Sequence, residues 1–334
     1  MTMQEDAGQE DAGQDGAGQQ ETGAPPLIVH LDRATMGGFE IPRPAASHRW
    51  VSHDVTAPAD VIARLAGARV AVLNKVKLDA ATLAALPDLR MIAVTATGTD
   101  VVDGQAAAAR GISVRNVVGY AGDSVAEHVI MLLFALVRGL VPHRQSVIDG
   151  RWEKGGTFCV FAAPVRDVAG LRLGLVGSGA IAQAVAVRAR ALGMEVVFAG
   201  RRGAAPGAGK LSFEEVLATS DVLSLHCPLT DETRHMLDAA TLAAMKPGAI
   251  VINTARGALI DLEALERALE AGQIGGAGLD VAPVEPPPPG SAILRLARRD
   301  DVVVTPHAAW SSRQAIEALA AATAANIADY LAGR

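Results

Sequence analysis

The stretch that most narrows what this chain can become is "GLVGSGAIA", residues 174–182. A hydrophobic run from Leu171 to Val176 breaks at Gly177-Ser178-Gly179 and passes into the alanine-rich segment Ala180 to Leu192. Two glycines so spaced, followed by a small residue at Ala182, describe a strand that turns tightly into a helix. Gly177 permits the turn, Gly179 lets backbone approach a pyrophosphate, and Ala182, in place of the usual third glycine, keeps the helix close to the strand. The phosphates would rest on the free N–H groups of Ala180 and Ile181, where the helix dipole favours negative charge. A glycine turn can also exist without a ligand, so the surrounding pattern has to decide.

That pattern is alternation. After "LRLGLVG" (171–177) come "EVVFAG" (195–200), "DVLSLHC" (221–227), "AIVINTA" (249–255), "GGAGLDV" (275–281) and "DVVVTPH" (301–307). Helical segments separate most of them: Ala180 to Leu192, Ser212 to Thr219, Ala239 to Met245 and Leu262 to Ala271. An earlier block repeats the theme with "LIVH" (27–30), "VAVLN" (70–74), "MIAVTA" (91–96) and "ISVRN" (112–116), with helices from Ala57 to Leu65 and Asp79 to Ala85. A long helix, Ser124 to Leu140, follows, with Asp123 or Ser124 as its N-cap. The fold class is therefore α/β, with two Rossmann-like doubly wound parallel sheets. The length of 334 residues suits about two domains. The last helix, from Trp310 to about Leu331, has no strand left in its own block. Crossing back to the first domain is its natural use, which makes that domain discontinuous: 24–119 with 308–334, around a dinucleotide-binding domain at 120–307.

Residues 1–23, "QEDAGQEDAGQDGAGQQETG" within them, hold nothing that could form a core and read as a disordered tail. Membrane spanning is not expected, because the apolar run from Val125 to Val141 is interrupted by Glu127, His128 and Arg138. No basic-then-apolar leader opens the chain. A net charge of −6 without a Lys/Arg block argues against nucleic acid. Cys159 and Cys227 lack the spacing of a metal or disulfide framework, so no metal is expected and a reducing cytoplasm is.

The second strand of the glycine block ends on Gly200, where an NAD site carries an acidic residue for the ribose hydroxyls, and Arg201 and Arg202 follow. Without the carboxylate, a 2′-phosphate is not repelled, and guanidinium groups can grip it. NADP is the expected cofactor, with NAD possible. Three more segments end strands at the edge where such sheets bind ligands: "INTARGALID" with Arg256, "GLDVAPVEPPPP" with Glu285, and "TPHAAW" with His307. Singly they read as a loop cation, a solvated acid and a core histidine. Together beside a nicotinamide they make a hydride-transfer site. Arg256 binds a carboxylate and polarises the neighbouring carbonyl, His307 gives or takes the hydroxyl proton, and Glu285 holds the imidazole and favours its charged form.

The run "LHCPLTDETRHMLDAATLAAMKPGAIVINTARGALID", then "GLDVAPVEPPP" and "TPHAAW", resembles the D-isomer-specific 2-hydroxyacid dehydrogenases, the likeness extending from about residue 70 to 334. The resemblance implies the Arg256, Glu285 and His307 triad, D stereochemistry, and a homodimer with the segment from Val137 to Val168 as an arm. It also implies that Thr97 and Gly98 in "TATGTD" hold the substrate carboxylate, and that Cys227 and Pro228 line the cofactor. It puts Thr254, Ala255 and Asp280 at the nicotinamide end, and Thr233 by the phosphates. "LNKVKLD", "DSVAEH", "GRWEKGGTFC" and Trp310, three residues past the histidine, resemble glycerate dehydrogenase and hydroxypyruvate reductase members, with Trp310 walling the pocket or packing a domain interface. Gly119-Tyr120-Ala121-Gly122 reads as a hinge. The expected function is NAD(P)H-dependent reduction of glyoxylate or hydroxypyruvate, and its reverse. Another 2-hydroxyacid, such as D-3-phosphoglycerate with Lys75 and Lys77 as its cations, is a second reading, and a dinucleotide-sensing scaffold without turnover a third.

Overall fold

The computed structural model describes residues 24–334, so the expectation of a disordered tail at 1–23 lies outside the described residues. Among the described residues eleven strands form two sheets, and every pairing within them is parallel. The first sheet contains β1 (Leu27–His30), β2 (Arg49–Ser52), β3 (Ala68–Leu73), β4 (Met91–Val94) and β5 (Ser113–Arg115), in the order β2-β1-β3-β4-β5. The second contains β6 (Arg172–Val176), β7 (Glu195–Ala199), β8 (Val222–Leu225), β9 (Ala249–Asn253), β10 (Ile274–Leu279) and β11 (Val302–Val304), in the order β11-β10-β9-β8-β6-β7. Central strands such as β4 and β8 are buried along their whole length, as strands covered on both faces must be.

Beyond β7, Leu211 forms an isolated parallel bridge with Ala199. This single bridge stands where a third strand would continue the sheet. Both sheets reverse direction of winding beside their first strand, between β1 and β3 and between β6 and β8. The carboxyl ends of the strands at those two points are where doubly wound sheets hold ligands.

The long helix runs Gly122–Val137, and its start and end both differ from the sequence reading. Ala121 is its N-cap and no side chain caps it. Asp123 instead pairs with Arg188 at 2.9 Å, and the Ser124 hydroxyl donates to the Ala309 carbonyl at 2.7 Å. At the other end Gly139 is left-handed, and the chain restarts as Leu140–Ile148, bent by 60°. Among the described residues no single helix is long and apolar enough to cross a membrane. The apolar side of Gly122–Val137, including Val129, Leu132 and Leu133, packs in one cluster with Leu173 and Leu175 of β6 and Ile250 and Ile252 of β9.

The final helix, Arg313–Leu331, packs on the first sheet. Ile316, Leu319, Ala320 and Ile327 share a cluster with Ile28, Val70, Val72 and Met91. Ser312 caps that helix by accepting from Ala315 N–H at 3.2 Å.

Candidate active site

The glycine turn follows β6 as its spacing requires. Gly177 has φ 112°, and a Cβ there would lie 2.5 Å from the His226 carbonyl oxygen. Gly179 is the N-cap of the Ala180–Ala191 helix, with no side-chain cap, and a Cβ there would meet nothing within 4 Å. The two glycines therefore do different work: the first is demanded by the fold, and the second leaves open the approach to the uncapped N–H groups of Ala180 and Ile181. Gly177→Ala is expected to destabilise the protein by about 2 kcal/mol or more. Gly179→Ala is expected to leave the melting temperature in place and weaken nucleotide binding at least tenfold; thermal denaturation and a nucleotide titration on both variants check the contrast.

The remaining residues expected around a dinucleotide divide. Thr254 has a buried hydroxyl oxygen with no partner in the protein, at the carboxyl end of β9, and a nicotinamide-bearing ligand can satisfy it. Together with the open cradle at Gly179, it makes the residues present fit a dinucleotide. Ala255 is fixed by its N–H donating to Asn253 Oδ1 at 3.0 Å. Cys227 turns its sulfur toward Met236 Sδ at 3.6 Å, and burial pushes its thiol up to about 11. The Thr233 hydroxyl ties its own turn, donating to the Pro228 carbonyl at 2.8 Å and accepting from Thr230 N–H at 2.7 Å. The Glu232 carboxyl is lowered first by the Thr230 hydroxyl, then by its own backbone N–H, and least by the Arg201 guanidinium. Arg202 is turned elsewhere. Its guanidinium is 5.9 Å above the Phe213 ring, and it adds to the lowering of Asp238 that begins with the Thr241 N–H. Of the two arginines expected to grip a phosphate, Arg202 therefore lies over an aromatic ring.

The catalytic candidates follow three adjacent strands of the second sheet, Arg256 after β9, Glu285 after β10 and His307 after β11. His307 Nδ1 is 2.6 Å from Glu285 Oε2, and Glu285 Oε1 accepts from Ala282 N–H at 2.9 Å. Burial pulls the Glu285 carboxyl up, but the His307 contact and the Ala282 N–H outweigh it and hold the acid below its ordinary range. With an ionised carboxylate on Nδ1, that nitrogen carries the hydrogen, and Nε2 is the atom left to exchange a proton.

His307 has φ 53°, a left-handed conformation that a residue with a Cβ seldom adopts. Asp280 holds it there. This side chain, buried in the residue just past β10, accepts from the Thr305 hydroxyl at 2.5 Å, Ala308 N–H at 2.9 Å and Ala309 N–H at 3.0 Å. His307 N–H donates to the Asp280 carbonyl at 2.7 Å. His128 completes the floor, its Nε2 2.9 Å from the Thr305 hydroxyl. Asp280, expected at the nicotinamide end, thus spends its carboxylate beneath the histidine turn as a positioning residue.

Arg256 follows β9 on a turn pinned by the buried Asn253, whose Nδ2 donates to the Arg256 carbonyl at 2.9 Å. Its guanidinium reaches the first sheet's loop: a Cβ on Gly98 would be 2.5 Å from Nη2, and Asp100 Oδ2 is 3.5 Å away. Thr97 is fixed beside it, donating its hydroxyl to the Val117 carbonyl at 3.0 Å, while Asn116 Nδ2 donates to the Thr97 carbonyl at 2.6 Å.

Lys75, beyond β3, joins these groups electrostatically: desolvation lowers its ammonium, Glu285 raises it and Arg256 lowers it. Tyr120, read from sequence only as part of a hinge, is pushed up to about 12 by burial and feels Arg256. Trp310 stands edge-on to Tyr120, with ring centroids 6.4 Å apart, and shares a cluster with Ala121, Val125 and Ile181. That is packing at the junction of the two halves. Asn253, His128 and Tyr120 were missed as site residues, and for Asn253 the signal was in plain view within "INTARG". Among the described residues no group of three or more His, Cys, Asp or Glu is arranged to hold a metal.

Two parallel-sheet domains, a glycine-turn nucleotide cradle and a His–Glu pair with an Arg past three adjacent strands define a nucleotide-dependent dehydrogenase. Residues 130–309 match the NAD binding domain of the D-isomer specific 2-hydroxyacid dehydrogenases. A glycerate dehydrogenase from Methylorubrum extorquens is 46% identical over 312 residues, covering 92% of this chain and 96% of the relative. A glyoxylate reductase from Korarchaeum cryptofilum is 38% identical, covering 77% of each chain. A crystal structure of a Thermus thermophilus protein is 35% identical with a TM-score of 0.79, covering 92% of this chain and 97% of that one. The chain belongs to the D-isomer specific 2-hydroxyacid dehydrogenases and is an oxidoreductase acting on small 2-hydroxy or 2-oxo acids.

Proposed function

We propose that this protein reduces glyoxylate or hydroxypyruvate to the D-2-hydroxy acid, preferring NADPH to NADH, and catalyses the reverse oxidation. The observation that carries the reading is the 2.6 Å pair of His307 and Glu285, past strands next to the one after which Arg256 extends against Gly98. The chemistry that a bound reduced nicotinamide supplies is a hydride for the carbonyl carbon. Arg256 binds the substrate carboxylate and draws charge toward the carbonyl oxygen, with the Thr97-Gly98 backbone as the opposing wall. His307 Nε2 delivers a proton to that oxygen as it becomes a hydroxyl, and Glu285 stabilises the imidazolium beforehand. In the oxidative direction neutral His307 takes the hydroxyl proton.

A small substrate is supported by the names of the relatives above. The homodimer is supported by exposed large apolar residues along the helix Leu140–Ile148 and the segment from it to β6: Leu140, Val147, Ile148, Trp152, Phe158 and Phe161, the last two exposed at 91% and 89%. A second copy of the chain covers that face. Two free cysteines suit a reducing cytoplasm.

The test is a steady-state panel of glyoxylate, hydroxypyruvate, pyruvate and longer 2-oxo acids, run with both reduced cofactors. Turnover fastest with a two- or three-carbon acid and NADPH is expected. Faster turnover of a branched or phosphorylated acid would refute the substrate assignment. Cofactor binding without turnover of any acid would point to a sensing role.

A further inference from the structure

The cofactor preference proposed above rests on Arg201 and Arg202, yet Arg202 lies over Phe213 and beside Asp238. A different cation stands at the glycine turn. Between Gly200 and Leu211 the chain leaves the edge of the second sheet and returns to it. Gly200 N–H donates to the Leu211 carbonyl at 2.7 Å, and Leu211 N–H to the Phe198 carbonyl at 3.0 Å. Those two bonds and the Ala199–Leu211 bridge fix the end of the loop, not merely its start. Lys210, the residue before that anchor, is half-buried and donates from Nζ to the Ser178 hydroxyl at 3.0 Å. Ser178 is the residue between the two glycines of the nucleotide turn. Lys210 makes no ion pair among the described residues, so its charge is not neutralised by the protein.

Ribose hydroxyls of a dinucleotide lie at the end of the second strand of such a sheet, opposite the glycine turn. Here that place is bounded by Gly200 with no carboxylate, by Arg201, and by Lys210 tethered to the turn. We propose that Lys210, held by Ser178, is a specificity-determining residue that binds the 2′-phosphate of NADPH together with Arg201, and that it separates NADPH from NADH. The inference deepens the NADPH reading and rests on it.

Adenosine 2′,5′-bisphosphate and 5′-AMP are the probes, because they differ only in the group at issue and report binding without turnover. Calorimetric titration of the full chain is expected to show the bisphosphate bound more tightly than 5′-AMP. Lys210→Met is expected to weaken the bisphosphate by about tenfold to a hundredfold, the range of a charge-assisted hydrogen bond, with 5′-AMP unchanged. Lys210→Arg should keep most of the discrimination, and Ser178→Ala should lose part of it, with melting temperatures unaltered. Equal weakening of both probes by Lys210→Met would mean that the ammonium reads the shared 5′-phosphate, and that result overturns the proposal. No weakening of either probe overturns it as well. In both cases a wild-type protein that still discriminates leaves the NADPH preference standing, whereas a wild-type protein that binds the two probes equally removes the preference itself and the proposal with it.

Discussion

Replacing His307 by glutamine is expected to lower turnover by about a thousandfold while leaving nucleotide affinity within a factor of two. General acid–base groups contribute on the order of 10²- to 10⁴-fold, and no neighbour can take over. Lys75 lies near Glu285, but its backbone N–H is held by the Asp32 carboxylate at 2.7 Å, on the loop after β3 rather than on the His307 turn. Glutamine preserves hydrogen-bonding capacity toward Glu285 and so isolates the loss of a titratable ring. Glu285→Gln should cost less, about tenfold to a hundredfold, since it removes a charged hydrogen bond and leaves the ring in place. The pH dependence has a definite sign. The Glu285 carboxyl is held below its ordinary range, so the ionised pair contributes fully above that range and is lost as pH falls through the lowered value. The Glu285→Gln variant should therefore lack the acid-side loss that the wild type shows. A His307→Gln enzyme retaining a tenth or more of wild-type turnover would show that the imidazole is not the proton carrier.

What could be read from the chain and what could not divides along the range of the forces involved. β1 was legible to the residue, because "LIVH" is a buried apolar run. β2 was not, because Arg49–Ser52 is an edge strand whose residues are mostly exposed and whose pattern carries no hydrophobic signal. The long helix was legible in its body and wrong at its ends. Asp123 and Ser124 are good caps by type, yet their partners, Arg188 and Ala309, lie 65 and 185 residues away. Tertiary contacts of that kind leave no local trace. Arg256, Glu285 and His307 were legible since each follows a strand at the end where such sheets gather ligands, so topology brings them to one edge. The work of Asp280 was not, because a carboxylate that accepts from Thr305, Ala308 and Ala309 looks, in sequence, like one that faces a ligand. The same holds for Arg202, whose place 5.9 Å above the Phe213 ring is set by a residue eleven positions on and leaves no trace in the arginine pair itself.

Arg256 carries the second large effect. Its guanidinium is anchored at one end, with Nη1 donating to the Ala255 carbonyl at 2.8 Å, and presents Nη2 toward Gly98 and Asp100 on the first sheet's side. The contact with Asp100 is long and exposed, worth no more than about 1 kcal/mol, so an incoming carboxylate displaces it easily. A substrate carboxylate can accept two parallel N–H bonds from the planar fork, whereas the round ammonium of lysine offers charge without that geometry. Arg256→Gln is expected to lower kcat/KM by about a thousandfold, comparable to removing a preorganised donor from a developing oxyanion. Arg256→Lys should recover only part of the loss, chiefly in KM, because charge returns but orientation of the carbonyl does not. Adenosine nucleotide binding should be untouched in both, since the glycine turn lies after β6 and Arg256 after β9. If lysine restored kcat as well as KM, charge alone would suffice, and the carbonyl-polarising role of Arg256 would fall while its binding role survived. Loss of nucleotide affinity in either variant would instead mean that the turn pinned by Asn253 collapses without its arginine, making the residue a support of the cleft rather than a partner of the substrate.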